Sequence, residues 1–378
     1  MLVAAIAGTG CAAQGSSTLP LLSPVTSTAN TARLHDSSTR GSGSGSSSSP
    51  SSLVSTLAKQ IASKQLADGA ILNSSSGING YFANYAAMGL VIGGNYSGAQ
   101  RWAQWYLAHV NANNVWGPGC SIYDYQLVGG VETSTGSASS VDAHSASFIT
   151  LLHTMYRSGD SSLVSYVRGV RSQAECVAWS MVSLISPANN LAQVKPGDDI
   201  EYLIDNAQVY RGLGDMAWLE ENAWSNPTES ATYTNYQNTV AQGINGLWNP
   251  ALNMYASYTT VLNHIETPAW NTWYADSTGQ LFLVINGVLS PTNPRAVALY
   301  NSFNASWPKW TSGASANGSG FPWAVVAQAA AAMGDTSRVK TFASNAQATY
   351  SSSNWGWPWY DYESSGLIRA LAAPTFSN

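Results

Sequence analysis

The stretch Tyr81-Phe82-Ala83-Asn84-Tyr85-Ala86-Ala87-Met88-Gly89-Leu90-Val91-Ile92 decides the fold. It is apolar on nearly all sides, and a helix of that kind is buried all round rather than along one stripe. Gly93-Gly94-Asn95 breaks it. The next helix is marked on one face by Trp102, Trp105, Tyr106 and His109, at i, i+3, i+4 and i+7. The unit recurs. Ala146 to Leu152 is a second buried segment, stopped at Ser158-Gly159-Asp160, where Asp160 is an N-cap following a glycine C-cap. Leu163, Val167, Val170, Ala174 and Val177 then form an outer stripe. Near the C-terminus Trp323 to Met333 is the buried partner, Gly334-Asp335 the turn, and Val339, Phe342 and Ala346 the stripe.

Apolar segments begin near Tyr81, Asp142, Tyr202, Trp270, Phe321 and Tyr360, each after a long loop rich in Trp, Tyr, Asp and Gly. Before the first of them, Leu53, Leu57, Ile61 and Leu66 lie roughly on one face of a helix. Buried helices alternating with amphipathic ones describe an all-α double barrel of about twelve helices, six hairpins with their long loops at one end. An open solenoid is the competing architecture, but repeat lengths of roughly 40 to 70 residues and the lack of a repeat consensus count against it. No period-two strand pattern is sustained, although Tyr255 to Val261 could form a short hairpin.

With 378 residues the chain can bury a large core without metal or disulfide staples. Charged residues make up only 9% and the net charge is -5, with no Lys/Arg cluster, which excludes a nucleic-acid binder. Residues 1 to 11 read as a signal segment: Met1 to Ala7 is apolar, and Gly8-Thr9-Gly10-Cys11 then resembles the end of a bacterial lipoprotein signal with Cys11 acylated. Gly8 and the missing basic n-region depart from that pattern, and a ragged apolar N-terminus is the other reading. Residues 12 to 51 form a Ser/Thr/Gly-rich linker, and 52 to 378 one domain. The expected location is outside the cell, at its surface or in the periplasm, with a possible lipid tether through Cys11. Cys120 and Cys176 either pair or leave Cys176 as a buried thiol. Neither has metal-ligand spacing to a His or Cys, so no metal and no cofactor are expected.

Three stretches carry a family likeness. The first is Asp68-Gly69-Ala70-Ile71 with Tyr81 to Tyr85. The second is Ile122-Tyr123-Asp124-Tyr125 with Ser140-Val141-Asp142-Ala143-His144-Ser145-Ala146-Ser147-Phe148. The third runs from Tyr202 through Asp205, Asn206 and Gln208 to Leu213. Over roughly residues 52 to 372 the chain resembles the six-hairpin glycosidase superfamily, the (α/α)6 toroids. The resemblance implies hydrolysis of glycosidic bonds by paired carboxylates in a central cleft. Some toroids are instead polysaccharide lyases, epimerases or isomerases, so the fold does not fix the reaction.

In such a toroid the inner helices point free N–H groups and partial positive charge into the cleft, which favours an ionised carboxylate and hence a base. A general acid needs a desolvated setting. Asp142, at the start of an inner helix, is the first candidate, with a plain N-cap as the alternative. Asp124 sits between Tyr123 and Tyr125, whose rings would raise its pKa and suit an acid; an Asx-turn is the other reading. Asp205 falls about one turn into the third inner helix, where an unpaired Asp in an apolar run is costly unless it meets solvent. Asp68 would bind sugar hydroxyls or make a turn. Asp198, Asp199 and Glu201 read as a solvated run, with a consecutive Asp pair kept in reserve because one group of toroidal mannanases uses one. His264 and Glu266 lie in another long loop, and His144 reads as a helix-face residue.

Aromatic residues fill the long loops. Trp116, Trp270, Trp273, Trp323, Trp357 and Tyr360, with Tyr123 and Tyr125, are the candidates for stacking on pyranose faces, while about half of the loop tryptophans belong to the core. The expected function is a glycoside hydrolase, acting as a monomer on a neutral or weakly charged poly- or oligosaccharide. A carbohydrate-binding protein without catalysis and a polysaccharide lyase or epimerase are the alternatives. Few cations in the long loops argue against polyanionic substrates.

Overall fold

The computed structural model describes residues 52–111 and 119–376. Cys11, the segment 1–51 and Trp116 lie outside the described residues. Among the described residues the chain forms thirteen α-helices: α1 (Ser52–Ser63), α2 (Gly80–Ile92), α3 (Tyr96–Ala108), α4 (Asp142–Arg157), α5 (Ser161–Gly169), α6 (Arg171–Val182), α7 (Leu203–Asn222), α8 (Pro227–Gly246), α9 (Thr278–Ile285), α10 (Pro294–Ser306), α11 (Ala324–Ala332), α12 (Thr336–Tyr350) and α13 (Asp361–Phe376).

Contacts between helices close a ring. α2 packs on α4, α4 on α7, α7 on α9, α9 on α11, α11 on α13, and α13 back on α2. The outer layer follows hairpin by hairpin: α3 covers α2, α5 and α6 cover α4, α8 covers α7, α10 covers α9, and α12 covers α11. α1 covers α13 and α2, so the first helix completes the last hairpin. Of the inner helices, α2, α9 and α11 are strongly apolar, and all six bury residues around most of their circumference. This is the closed double barrel that alternation of apolar and amphipathic segments predicts.

The short turns have the chemistry expected of them. Gly94, Gly159 and Gly334 take positive φ, and the Asn95, Asp160 and Asp335 side chains accept backbone N–H groups of the helices they open. Inner helices approach closely where one side is small. A Cβ on Gly212 of α7 would lie 2.8 Å from the Ala146 Cα of α4. One on Gly366 of α13 would lie 3.0 Å from the backbone of Ala324 and Val325 in α11.

Three details differ from the sequence reading. The outer stripe from Leu163 to Val177 is two helices, because the backbone leaves helical geometry at Val170 after Gly169. The fourth inner helix starts at Thr278 rather than near Trp270: a π-turn, Trp273–Ser277, intervenes, with Tyr274 extended. Residues 255–261 form no hairpin of their own. Strand β1 (Gly77–Ile78) pairs with β2 (Tyr125–Val128), which pairs with β3 (Val131–Ser134). β4 (Ile200–Tyr202) pairs with β7 (Tyr258–Thr260), and β5 (Trp248–Asn249) with β6 (Met254–Tyr255). The two halves of the expected hairpin thus go to different long-loop partners, because strand pairing there is set by which loops meet across the face. Cys120 and Cys176 are disulfide-bonded, tying the loop before β2 to α6.

Candidate active site

The start of α4 is set by the segment before it. The Val141 N–H donates to the Val194 carbonyl at 2.7 Å, which fixes where the helix begins. Asp142 is the first helical residue and is fully buried. Its Oδ1 accepts the Ser140 hydroxyl at 2.6 Å and the Ala143 N–H at 2.7 Å, while Oδ2 has no hydrogen-bond partner in the protein. Val141, not Asp142, is the N-cap residue, and the Ser145 hydroxyl turns away to that of Ser180 at 2.6 Å. A plain N-cap does not describe Asp142.

Asp205, in the first turn of α7, is half-buried, and burial pushes its carboxyl up to about 7. Asp142 is raised well above the carboxylate range, by burial first and then by the negative charge of Asp205. The two carboxyls begin adjacent inner helices, α4 and α7, and the charge of Asp205 acts on Asp142. A helix N-terminus favours the ionised form, and the sequence reading expected that influence to win. Burial outweighs it here.

Tyrosines surround Asp205. Its charge also acts on Tyr81, Tyr202 and Tyr274, whose hydroxyls burial holds above their ordinary value. One turn below Asp205, the Gln208 amide donates to the Tyr81 hydroxyl at 2.7 Å, and that hydroxyl lies 3.2 Å from the Tyr362 hydroxyl. A turn deeper, the Arg369 guanidinium lies 4.8 Å from the centre of the Tyr85 ring. Arg211 Nε donates to Asp215 at 2.8 Å, and His153 Nδ1 is 3.3 Å from the same carboxylate. Arg211 thus pairs one turn ahead with Asp215.

Asp124 has other partners. Its Oδ1 accepts the Asn79 amide at 2.9 Å and its Oδ2 the Ser139 N–H at 2.8 Å. Asn79 is the N-cap of α2, so Asp124 fastens the loop carrying Ser140 to the mouth of α2. His144, buried on α4, places Nε2 3.7 Å from the same carboxylate. Tyr125 stacks edge-on against Trp105 of α3 and His109, the C-cap of that helix, and Tyr123 is half-buried beside it. Asp68 accepts the Ala70 N–H at 3.1 Å in a tight turn and stands next to Glu132 of β3, whose carboxyl burial raises. Glu201 of β4 is buried and accepts the Asn189 amide, and burial raises its carboxyl to about 6. Glu266 accepts the Tyr258 hydroxyl at 3.0 Å.

The loop aromatics divide. Trp273 is buried, edge-on to Trp307 and Trp323. Trp270 is half-buried and offers its carbonyl to the Trp307 indole N–H at 3.0 Å. Trp323 takes a left-handed backbone conformation at the mouth of α11, its indole N–H on the Ser319 hydroxyl at 2.8 Å and its ring 5.4 Å from that of Tyr274. Tyr360 is half-buried against Phe82, Phe321 and Tyr362. Trp357 is 67% exposed, resting on Phe321 and Tyr360. Trp310, Trp355 and Trp359 belong to the core.

Sequence reasoning singled out none of Tyr81, Tyr202, Gln208, Tyr274 or Tyr362 as a site residue. Tyr81, Tyr202 and Gln208 lie in quoted stretches, where an amide or a hydroxyl in an apolar run was the available signal. It also passed over Asp361 and Glu363, both buried at the start of α13 and both raised to about 7 by burial. Glu363 accepts the Ala324 N–H at 2.5 Å and so ties α13 to the mouth of α11. Among the described residues no group of His, Cys, Asp and Glu is arranged to hold a metal ion.

No family model matches the chain, and no curated protein sequence matches it. Solved structures do. A structure titled "Glycosidase Wild Type" superposes with a TM-score of 0.61 at 13% identity, over 85% of this chain and 95% of that one. A GH63 mannosylglycerate hydrolase from Thermus thermophilus, in complex with glucose, gives 0.60 at 10% identity, over 84% and 99%. A reducing-end-xylose releasing exo-oligoxylanase mutant with xylobiose gives 0.52 at 12% identity, over 82% and 85%. At such identities the likeness is one of architecture, and it agrees with the closed ring of six inner helices. The fold of this chain is that of the six-hairpin glycosidases, the (α/α)6 toroid.

Proposed function

We propose that this protein is a glycoside hydrolase acting on a neutral or weakly charged glycan, with Asp142 and Asp205 as its carboxylate pair. The observation that carries this reading is that both sit in the first turn of adjacent inner helices, α4 and α7. Two carboxyls at the ends of adjacent inner helices, one fully buried and one facing the tyrosine-lined lumen, are raised together, the charge of Asp205 adding to the burial of Asp142. Two nearby groups whose settings differ divide into an acid and a base. Asp205 is the more exposed and ionises first; its negative charge then keeps the proton on Asp142. Asp142 is the proton donor to the glycosidic oxygen. Ionised Asp205 either takes the proton of an attacking water or attacks the anomeric carbon itself.

The surroundings suit uncharged sugar rings. Trp357 and Tyr274 are exposed aromatic faces beside a lumen of hydroxyls and amides. The tyrosines are poor candidates for a lyase base, since burial holds the hydroxyls of Tyr81, Tyr274 and Tyr362 above the usual value. Among the structural neighbours are a mannosylglycerate hydrolase and an exo-oligoxylanase, which supports the reaction class. The Cys120–Cys176 bond supports an oxidising compartment outside the cytoplasm, in keeping with export.

The test is a reducing-end assay of the purified chain on a panel of neutral glycans, run with Asp142→Asn. The change keeps shape and removes the acid, so turnover is expected to fall by several orders of magnitude while the melting temperature and glycan binding hold. Intact turnover in a destabilised Asp142→Asn protein would make Asp142 a structural residue. Binding without turnover in the wild type would make the chain a carbohydrate-binding protein.

A further inference from the structure

The outer wall of the toroid holds a second aromatic groove, away from the lumen. Arg171, Glu175 and Trp179 are spaced i, i+4, i+8 and share one face of α6. Opposite them stand Asn226, the N-cap of α8, with Glu229 and Tyr233 one and two turns further along. Together with the sulfur bridge of Cys176 they enclose an open groove of about 520 Å³. Trp179 is 53% exposed, on a helix whose apolar residues are otherwise turned inward.

Arg171 is held by two of the carboxylates. Arg171 Nε donates to Glu175 at 2.9 Å, and Nη2 lies 3.1 Å from Glu220, which is fully buried behind it on α7. Three carboxyl groups, Glu175, Glu220 and Glu229, oppose a polyanion. The guanidinium of Arg171 is taken up by Glu175 and Glu220. The exposed indole beside these carboxylates and the Asn226 amide suits a ligand with an apolar face for the ring and hydroxyls for the polar groups. A pyranose ring has that combination of faces.

We infer that the groove between α6 and α8 is a second, non-catalytic binding site for a neutral sugar chain, with Trp179 as its stacking platform. The inference rests on the glycan reading of the lumen, but its readout is separate. Retention of the full-length Asp142→Asn protein would be measured by affinity electrophoresis in gels holding soluble xylan, mannan or β-glucan, with Trp179→Ala and Trp357→Ala made in the same background. Trp179→Ala is expected to weaken retention roughly tenfold. The same change in the active protein is expected to leave turnover of short oligosaccharides unchanged. Equal retention of Trp179→Ala and its parent, or no retention of the parent in any of the three gels, overturns the inference. So does retention by polylysine that is lost with Trp179→Ala, since it would make the groove a cation site. If the active protein cleaves no glycan, the function proposed for the lumen fails, while the gel result still decides the groove.

Discussion

At the scale of single residues, the proposed chemistry depends on the order in which two carboxyls lose their protons. Burial raises both Asp142 and Asp205, and the charge of Asp205 raises Asp142 further. Replacing Asp205 by Asn removes that charge and keeps the shape. Asp142 should then titrate at lower pH than in the wild type, followed by NMR of its carboxyl carbon. An unchanged midpoint would mean that the two groups do not share the lumen mouth as described. In the wild type, activity that needs Asp205 ionised and Asp142 protonated should rise as pH passes about 7, the value to which Asp205 is raised, and fall again where Asp142 loses its proton. Asp124, whose two oxygens are both engaged, gives a contrast. Asp124→Ala should loosen the loop that carries Ser140, and so act on Asp142 through its hydrogen bond.

At the scale of elements, the two candidate carboxylates hang on two helices that touch closely. Gly212 lets α7 approach α4, since a methyl there would meet the Ala146 Cα at 2.8 Å. The contact is backbone, so it cannot swing aside, and overpacking of that sort costs about 1–3 kcal/mol. Gly212→Ala should lower the melting temperature. It should also lower turnover by more than the loss of folded protein explains, because it moves the helix of Asp205 against that of Asp142. A stable variant with wild-type turnover would show that the spacing of α4 and α7 is not critical. Asn84 of α2 fixes the neighbouring junction. Its amide donates to the His144 carbonyl at 3.0 Å and to Ser147 at 2.9 Å on α4, and its carbonyl accepts the Trp102 indole N–H of α3 at 2.9 Å.

At the scale of the whole molecule, the inner barrel buries carboxyls that would each titrate near their ordinary value, about 4, in an unfolded chain. Asp361 and Glu363 are both raised to about 7, each mainly by burial. Between those limits the folded state holds more protons than the unfolded one, so stability falls as pH rises. The contribution is full below about 4 and is lost by the time pH passes about 7. Melting temperatures should therefore be higher near pH 5 than near pH 8, by several degrees. Asp361→Asn and Glu363→Gln should flatten the dependence. A melting temperature that climbs from pH 5 to pH 8 would contradict the burial of these groups as protonated acids. The ring they sit in closes through α13: Ser365 donates to the Tyr85 carbonyl of α2, and Ser364 to Gln60 of α1 at 2.8 Å.

The chain read in order makes the architecture legible. Helices apolar on every side have no place but an inner layer, and Gly94, Gly159 and Gly334 with their capping neighbours mark where each turns outward, because both signals are local to a few residues. It also singled out Asp142, Asp205 and the aromatic loops, since a carboxylate at the mouth of a buried helix is conspicuous. Which carboxylates act on one another is set by how the chain packs. Asp142 and Asp205 are far apart in the chain, and the action of one on the other depends on α4 packing on α7 through Gly212. Only the tertiary structure decided that burial outweighs the helix end at Asp142 and that Asp124 is taken up by Asn79 and Ser139. The same packing places Tyr81, Tyr202 and Tyr274 around one charge, that of Asp205. Desolvation and pairing are properties of what surrounds a group in space, and a chain read in order does not contain its neighbours across a ring.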